Sequence, residues 1–117
     1  MKRRNEILER SKGFAVRIIR LAQYLKKRKI FELASQLIRC GTSIGANIHE
    51  AQCSESRKDF IHKMSIALKE SRETEYWIDI IIDSKIVPEN RMAGLNAELE
   101  EITKMLMSIV KTSKKNL

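Results

Sequence analysis

The sequence contains few of the residues that interrupt regular secondary structure, with 4 glycines and 1 proline among 117 residues. A β-sandwich or β-barrel needs turn residues about every 8–12 positions, so this composition argues against both. Long apolar runs are also missing. The longest stretch without a formal charge lies between Arg39 and Glu50, far short of the roughly 20 residues that span a bilayer. No apolar segment follows the basic N-terminus, so we expect no signal peptide, no membrane association and a cytoplasmic location.

Cysteine is scarce as well, since two cysteines in a chain of this length cannot form a disulfide framework. Apolar residues, in contrast, make up 43% of the chain and charged residues 32%. That proportion supports a buried core and excludes a disordered polyelectrolyte. The length corresponds to one domain, residues 1–117.

The charge is concentrated at one end of the sequence. Residues 1–30 contain 11 Lys and Arg against 2 Glu, whereas residues 31–117 contain 12 basic and 13 acidic residues, for a net charge of +8. A basic excess confined to one segment indicates a polyanion partner, because lysine and arginine release counterions when they neutralise phosphates. The competing interpretation is a solvated basic face that only keeps the protein soluble.

Apolar residues recur three and four positions apart through most of the chain, which is the period of an α-helix with one buried face. The pattern predicts four helices, at residues 5–29, 31–53, 57–84 and 88–111, and a basic tail at 112–117 that frays. Ser56 and Asp59 form a predicted capping pair before the third helix. Helices of this length with short connections predict an all-α, up-down-up-down antiparallel four-helix bundle.

Basic residues on the first helix are predicted to lie beside its apolar face rather than all around it. At about 100° per residue, four arginines fall nearly in line with Tyr24 beside them, and two further cations flank that line. We call this set the cationic ridge. Its members are Arg3, Arg10, Arg17, Arg20, Tyr24, Lys27 and Arg28.

The second helix combines small residues with a polar stripe. Gly41 and Gly45 stand four apart, a spacing that lets two helix backbones approach closely. A set of polar residues on helices two and three is predicted to form an inter-helix network: Gln36, Arg39, Ser43, Asn47, Glu50, Lys63, Glu70 and Glu73. Within it we predict Arg39 to pair with Glu70 or Glu73, and Asn47 with Lys63. If these charges are buried, losing one partner costs about 3–5 kcal/mol.

No set of residues indicates an enzyme or a cofactor. His49 and Cys53 are four apart on one predicted helix, but a zinc site needs at least one further ligand, such as His62 or Glu50. Cys40 is predicted to be a small buried side chain. The segment Gly41 to Gly45 lacks the Gly-Lys-Ser/Thr ending of a phosphate-binding loop. We therefore predict no catalytic residue, metal or cofactor.

Three segments carry a resemblance to a known family. The run from Gln36 to Ala51, and the segments Asp59–Lys63 and Ile66–Trp77, resemble the signature of a bacterial four-helix-bundle protein family. That family includes proteins encoded in intervening sequences of 23S rRNA genes and the accessory protein of diversity-generating retroelements. The resemblance extends over nearly the whole chain, although Cys40 stands where family members often have Ser or Ala.

The resemblance implies a ring-like homopentamer with a basic surface, nucleic-acid binding and, in the retroelement branch, association with a reverse transcriptase. Two functional hypotheses follow. The first is a non-enzymatic oligomer that binds RNA or DNA through the cationic ridge with little sequence specificity. The alternative is an assembly or adaptor protein that binds a partner such as a reverse transcriptase. In the alternative, the apolar residues surplus to the core form the interface: Val16, Met105, Met107 and Val110.

Overall fold

Four helices and no strand make up the part of the chain described by this computed structural model, which covers the backbone of residues 2–117 and the side chains of residues 6–117. The helices are α1 (Lys2–Lys27), α2 (Phe31–Ala51), α3 (Arg57–Asp83) and α4 (Glu89–Lys115). Their connections have three to five residues. Because so short a segment cannot run back along a helix, consecutive helices are antiparallel. The fold is the predicted all-α four-helix bundle.

Each helix packs against two neighbours, because α1 contacts α2 and α4, and α3 contacts α2 and α4. The contact between α1 and α4 is the least extensive of the four. With extents of 46 × 21 × 20 Å, the bundle is one helix long and two helices wide. Its core contains these fully buried large side chains: Ile7, Phe14, Ile18, Leu25, Leu37, Ile44, Ile48, Met64, Ile78, Ile81, Met92 and Leu99. No helix in the described chain is both long and apolar enough to cross a membrane.

The helices begin and end at residues that differ in part from the predicted boundaries. The prediction that the tail frays from residue 112 is wrong for residues 112–115, because α4 continues to Lys115 and buries Ser113. The first two helices end two residues earlier than predicted, at Lys27 and Ala51. α3 begins at its predicted residue, where the Ser56 hydroxyl accepts a hydrogen bond from the Asp59 N–H at 3.0 Å. The Asp59 carboxylate in turn accepts the Glu55 N–H at 3.4 Å, so both partners cap the helix.

Gly41 and Gly45 lie where α2 approaches α1. A β-carbon built on Gly41 would stand 2.9 Å from Cγ1 and Cγ2 of Ile18, and one on Gly45 would stand 3.2 Å from Oγ of Ser11. Ile18 and Ser11 are both completely buried, so neither can move aside into solvent. The two glycines therefore set the distance between α1 and α2.

Candidate nucleic-acid interface

Three arginines of the cationic ridge contact α4 or the loop that precedes it. Arg10 forms ion pairs with Glu6 at 3.4 Å and Glu98 at 3.5 Å. Arg17 donates to the Gly94 carbonyl at 3.4 Å, and Arg28 donates to the carbonyl of Ile86. Since α1 and α4 contact each other least, these long side chains bridge the seam between them. These three arginines therefore have contacts within the protein, and their contact with phosphates stays a prediction. The side chain of Arg3 lies outside the described residues.

The other three ridge residues face solvent. Arg20, Tyr24 and Lys27 are exposed and border a shallow depression on α1 together with Gln23. Tyr24 is 36% exposed, and the guanidinium carbon of Arg28 lies 5.7 Å from the centre of its ring. That cation–π contact fixes Arg28 beside the ring. The solvent-facing part of the ridge therefore offers two free cations and a partly open aromatic ring.

The exposed cations of α1 have almost no acidic neighbours in the sequence. Residues 10–31 contain eight Lys and Arg and no Asp or Glu. Among the side chains that the structure describes, Arg10 is the one member of this group with a carboxylate partner. Arg17 and Arg28 donate to carbonyl groups, which are neutral, so both keep their full charge. The segment is consequently a continuous source of positive potential.

Two further lysines, outside the cationic ridge, lie in the connections that follow α1 and α3. Lys29 and Lys85 have φ angles of 62° and 59°, the left-handed conformation, which costs a residue with a β-carbon about 1 kcal/mol or more. Glycine usually occupies the corresponding position after a helix. Residue identity alone does not reveal a positive φ at lysine. None of the four described helices is followed by a glycine, so the lack of a glycine does not single out these two positions.

The polar network lies between α2 and α3, with Arg39 at its centre. The guanidinium of Arg39 donates to Glu73 and to Gln36, the latter at 3.1 Å, and lies 3.6 Å from Glu70 Oε2. Glu73 also accepts the indole N–H of Trp77 at 3.1 Å. The Arg39 side chain is 49% exposed and that of Glu73 36% exposed. The condition of burial is therefore not met by Arg39 and Glu73, and solvent screening reduces the energy expected for their pair.

The predicted contact between Asn47 and Lys63 does not form. Asn47 donates instead to the Ser43 carbonyl of its own helix at 2.8 Å, and Lys63 Nζ donates to Glu50 Oε1 at 3.0 Å. A carboxylate attracts an ammonium group more strongly than a neutral amide does. The hydrogen bond with Glu50, followed by the attraction of its charge, raises the pKa of Lys63. The Ser43 hydroxyl donates a hydrogen bond to the Arg39 carbonyl at 2.6 Å.

The residues considered for chemistry are dispersed. His49 and Cys53 are exposed, and Cys40 is completely buried. Burial raises the pKa of the Cys40 thiol, an effect that a hydrogen bond with Thr74 partly opposes. In the described part of the chain, no three His, Cys, Asp or Glu side chains are grouped as metal ligands.

Only part of the predicted surplus of apolar residues is on the surface. Val16 is 43% exposed and Met107 46% exposed. Val110 is buried in the core and is therefore not surplus to it, whereas Met105 is partly buried and packs against the core. Ile19, three residues after Val16, is also 43% exposed, and it was missed because it extends the apolar face of α1.

Comparisons with known proteins place this architecture in a family. Residues 3–108 match the profile of a family described as 23S rRNA-intervening sequence protein. Among solved structures, the chain is similar to the crystal structure of a protein of unknown function from the S23 ribosomal protein family of Bacteroides thetaiotaomicron VPI-5482. The two are 44% identical with a TM-score of 0.90, over 93% of this chain and 98% of the other. No curated protein matches the chain.

Proposed function

This chain belongs to the 23S rRNA-intervening sequence protein family, and from that premise we propose that it is a non-enzymatic protein that binds nucleic acid through the cations of α1. The observation that carries the proposal is the acid-free segment at residues 10–31 with its eight basic residues. Seven of those residues meet no carboxylate among the described side chains. Phosphates of RNA or DNA supply the missing negative charge.

The binding mode follows from the types of side chain that are exposed. Arg20 and Lys27 make phosphate contacts, and such contacts position a nucleic acid without reading its sequence. The sequence does not resemble a recognition helix whose Asn, Gln and Arg side chains are arranged to read base edges. Tyr24 supplies a surface on which an unpaired base stacks. We therefore expect binding with little sequence specificity.

The test is a titration of a labelled structured RNA and a matched DNA duplex, followed by fluorescence anisotropy at several salt concentrations. The variant R20E/K27E leaves the seam arginines intact. It should weaken binding about tenfold or more at low salt and reduce the slope of log K against log salt by roughly 1.4–1.8, for two lost contacts. The matched control K69E/K111E makes the same change in net charge at exposed positions on α3 and α4.

Two results would contradict the proposal. One is an equal loss in both variants, which means that net charge alone matters. The other is no binding to RNA or DNA at low salt. In that case the adaptor hypothesis is favoured, with a partner protein such as a reverse transcriptase. Val16 and Ile19, both exposed on α1, support that second candidate because exposed apolar neighbours mark protein interfaces.

We further propose that the protein assembles into a homo-oligomer, for which the family resemblance implies a pentamer. Five chains of 13.6 kDa and charge +8 give about 68 kDa and about +40. Such a concentration of charge strengthens the field that steers a polyanion toward the surface. Light scattering on the purified protein measures the mass directly, and a value near that of one chain would contradict the proposal.

A further inference from the structure

We infer that one end of the bundle is a second contact site for the nucleic-acid backbone, with Lys29 and Lys85 as its phosphate ligands. This end, here called the loop end, consists of residues 28–30 and 84–88, which connect α1 to α2 and α3 to α4. The inference rests on the proposed function and specifies where, and to which form of nucleic acid, the protein binds.

The first support is the conformation of the two lysines. The Lys29 N–H donates to the Lys26 carbonyl at 2.9 Å and the Ile30 N–H to the Leu25 carbonyl at 2.9 Å, the hydrogen bonds of a Schellman motif. The Lys85 N–H similarly donates to the Ile82 carbonyl at 3.1 Å. These bonds require the left-handed backbone, for which glycine is the favoured residue. They do not require a lysine side chain at either position.

The second support is that the lysine side chains have no structural task. Both residues are exposed, and neither ammonium group has a hydrogen-bond or ion-pair partner among the described side chains. Twice, therefore, the chain keeps an unfavourable backbone conformation together with a free positive charge. A role for that charge outside the protein accounts for both positions.

The third support is that the two loops are joined and continuous with the α1 surface. Arg28 donates to the carbonyl of Ile86 and also lies over the Tyr24 ring. Lys29 and Lys85 are the chain neighbours of the two residues in that hydrogen bond. Arg28 consequently connects the Arg20, Tyr24 and Lys27 surface to both lysines.

Other groups at this end are less suitable for binding an anion. The first turns of α2 and α4 point their N–H groups toward the same end, but Glu32 and Glu89 occupy those turns. Their carboxylates neutralise the positive ends of the helix dipoles. The ammonium groups are therefore the donors for a phosphate.

The shape of the surface indicates which form of nucleic acid fits. A ligand that contacts both the side of α1 and the loop end has to turn at Arg28. Unpaired strands bend at little cost, whereas a duplex has a persistence length of about 150 base pairs. A single-stranded segment is therefore the ligand, with a base on Tyr24 and phosphates on the lysines.

The variant K29G/K85G tests this inference because stability and binding should change in opposite directions. Glycine relieves the left-handed conformation, so the midpoint of thermal unfolding should rise by a few degrees. Binding to a labelled 20-nucleotide single-stranded RNA should weaken about fivefold or more. The salt slope should fall by roughly 1.4, for two lost contacts to a single strand.

Two control variants distinguish the loss of phosphate contacts at the loop end from a general loss of positive charge. K29R/K85R keeps both charges and should retain binding, while K69Q/K111Q removes two charges elsewhere and should leave the salt slope nearly unchanged. Unchanged binding by K29G/K85G, where R20E/K27E still loses affinity, would overturn this inference and leave the proposed function intact. A lower unfolding midpoint in K29G/K85G would show a structural role for the lysines and would also overturn it. Equal affinity for a duplex of the same length would refute the single-stranded ligand.

Discussion

Gly41 and Lys29 show how one residue fixes the path of the chain in two different ways. At Gly41 the requirement is space, because Ile18 occupies the position that a β-carbon needs. At Lys29 the requirement is backbone conformation, since φ is 62°. The residue at position 41, glycine, satisfies its requirement. At position 29, a lysine adopts the left-handed conformation although that conformation is unfavourable for it. Sequence spacing indicated the first but contained no sign of the second.

Gly41→Ala should destabilise the protein, with Gly13→Ala as its matched control. The added methyl group at Gly41 meets Ile18 at 2.9 Å inside the core, and overpacking of this kind costs about 1–3 kcal/mol. Nothing lies within 4 Å of a β-carbon on Gly13, which is exposed within α1. Gly13→Ala should therefore stabilise the helix by about 0.5–1 kcal/mol. Urea unfolding measures both changes, and equal effects would contradict this account of Gly41.

The two cysteines should differ sharply toward a thiol reagent. Burial raises the pKa of Cys40 above the usual thiol value, whereas Cys53 is exposed. Because the thiolate is the reactive form, native protein at pH 8 should release one equivalent of thionitrobenzoate from Ellman's reagent, and unfolded protein two. The variant C53A should be nearly inert until it is unfolded. Rapid reaction of native C53A would show that Cys40 is accessible.

The raised pKa of Cys40 also has a consequence for stability. The folded chain holds this proton to a higher pH than the unfolded chain does, so the free energy of unfolding decreases as the pH rises above the ordinary thiol pKa of 9.0. Cys40→Ala should remove that part of the alkaline decrease. Urea unfolding of both proteins at pH 8 and pH 10 makes the comparison.

At the scale of elements, α2 and α3 are joined by an apolar interface and by an ionic network at its edge. Arg39 extends from α2 to Glu70 and Glu73 on α3, and Lys63 extends from α3 to Glu50 on α2. Each of the two helices thus supplies a cation that pairs with a carboxylate on the other helix. Because most of these side chains are partly exposed, the network specifies the alignment of the two helices more than it adds stability.

A double-mutant cycle on Arg39→Met and Glu73→Gln should give a coupling energy of about 0.5–1 kcal/mol. That value is above the roughly 0.3–0.5 kcal/mol expected for an exposed pair one turn apart on a helix. Lys104 and Glu100 provide such a pair, at 3.8 Å with side chains 68% and 64% exposed. Chemical unfolding of each set of variants yields the two coupling energies. A coupling near zero, or above about 3 kcal/mol, would contradict the description of Arg39 as half-exposed and paired.

For the whole molecule, the sequence predicts the fold better than it predicts the surface. Apolar spacing determines which face of each helix is buried, so four helices and their order could be deduced. The rotation of α1 relative to α4 could not be deduced from the sequence. That rotation decides that Arg17 contacts Gly94 while Arg20 faces solvent. The α4 extension was missed because burial of Ser113 leaves no apolar signal. The partner of Lys63 was also missed. Spacing along α2 did not show whether Lys63 would pair with Asn47 or with Glu50, and the structure pairs it with Glu50.

The weak contact between α1 and α4 has a consequence for the native ensemble. α2 packs extensively on both α1 and α3, whereas α4 depends on α3 and on a seam that arginine side chains bridge. Separation of α4 should therefore be the partial unfolding event of lowest free energy. In native hydrogen exchange followed by mass spectrometry, the central amides of α4 should exchange deuterium before those of α2. Slower exchange in α4 than in α2 would show that the seam is as stable as the rest of the bundle.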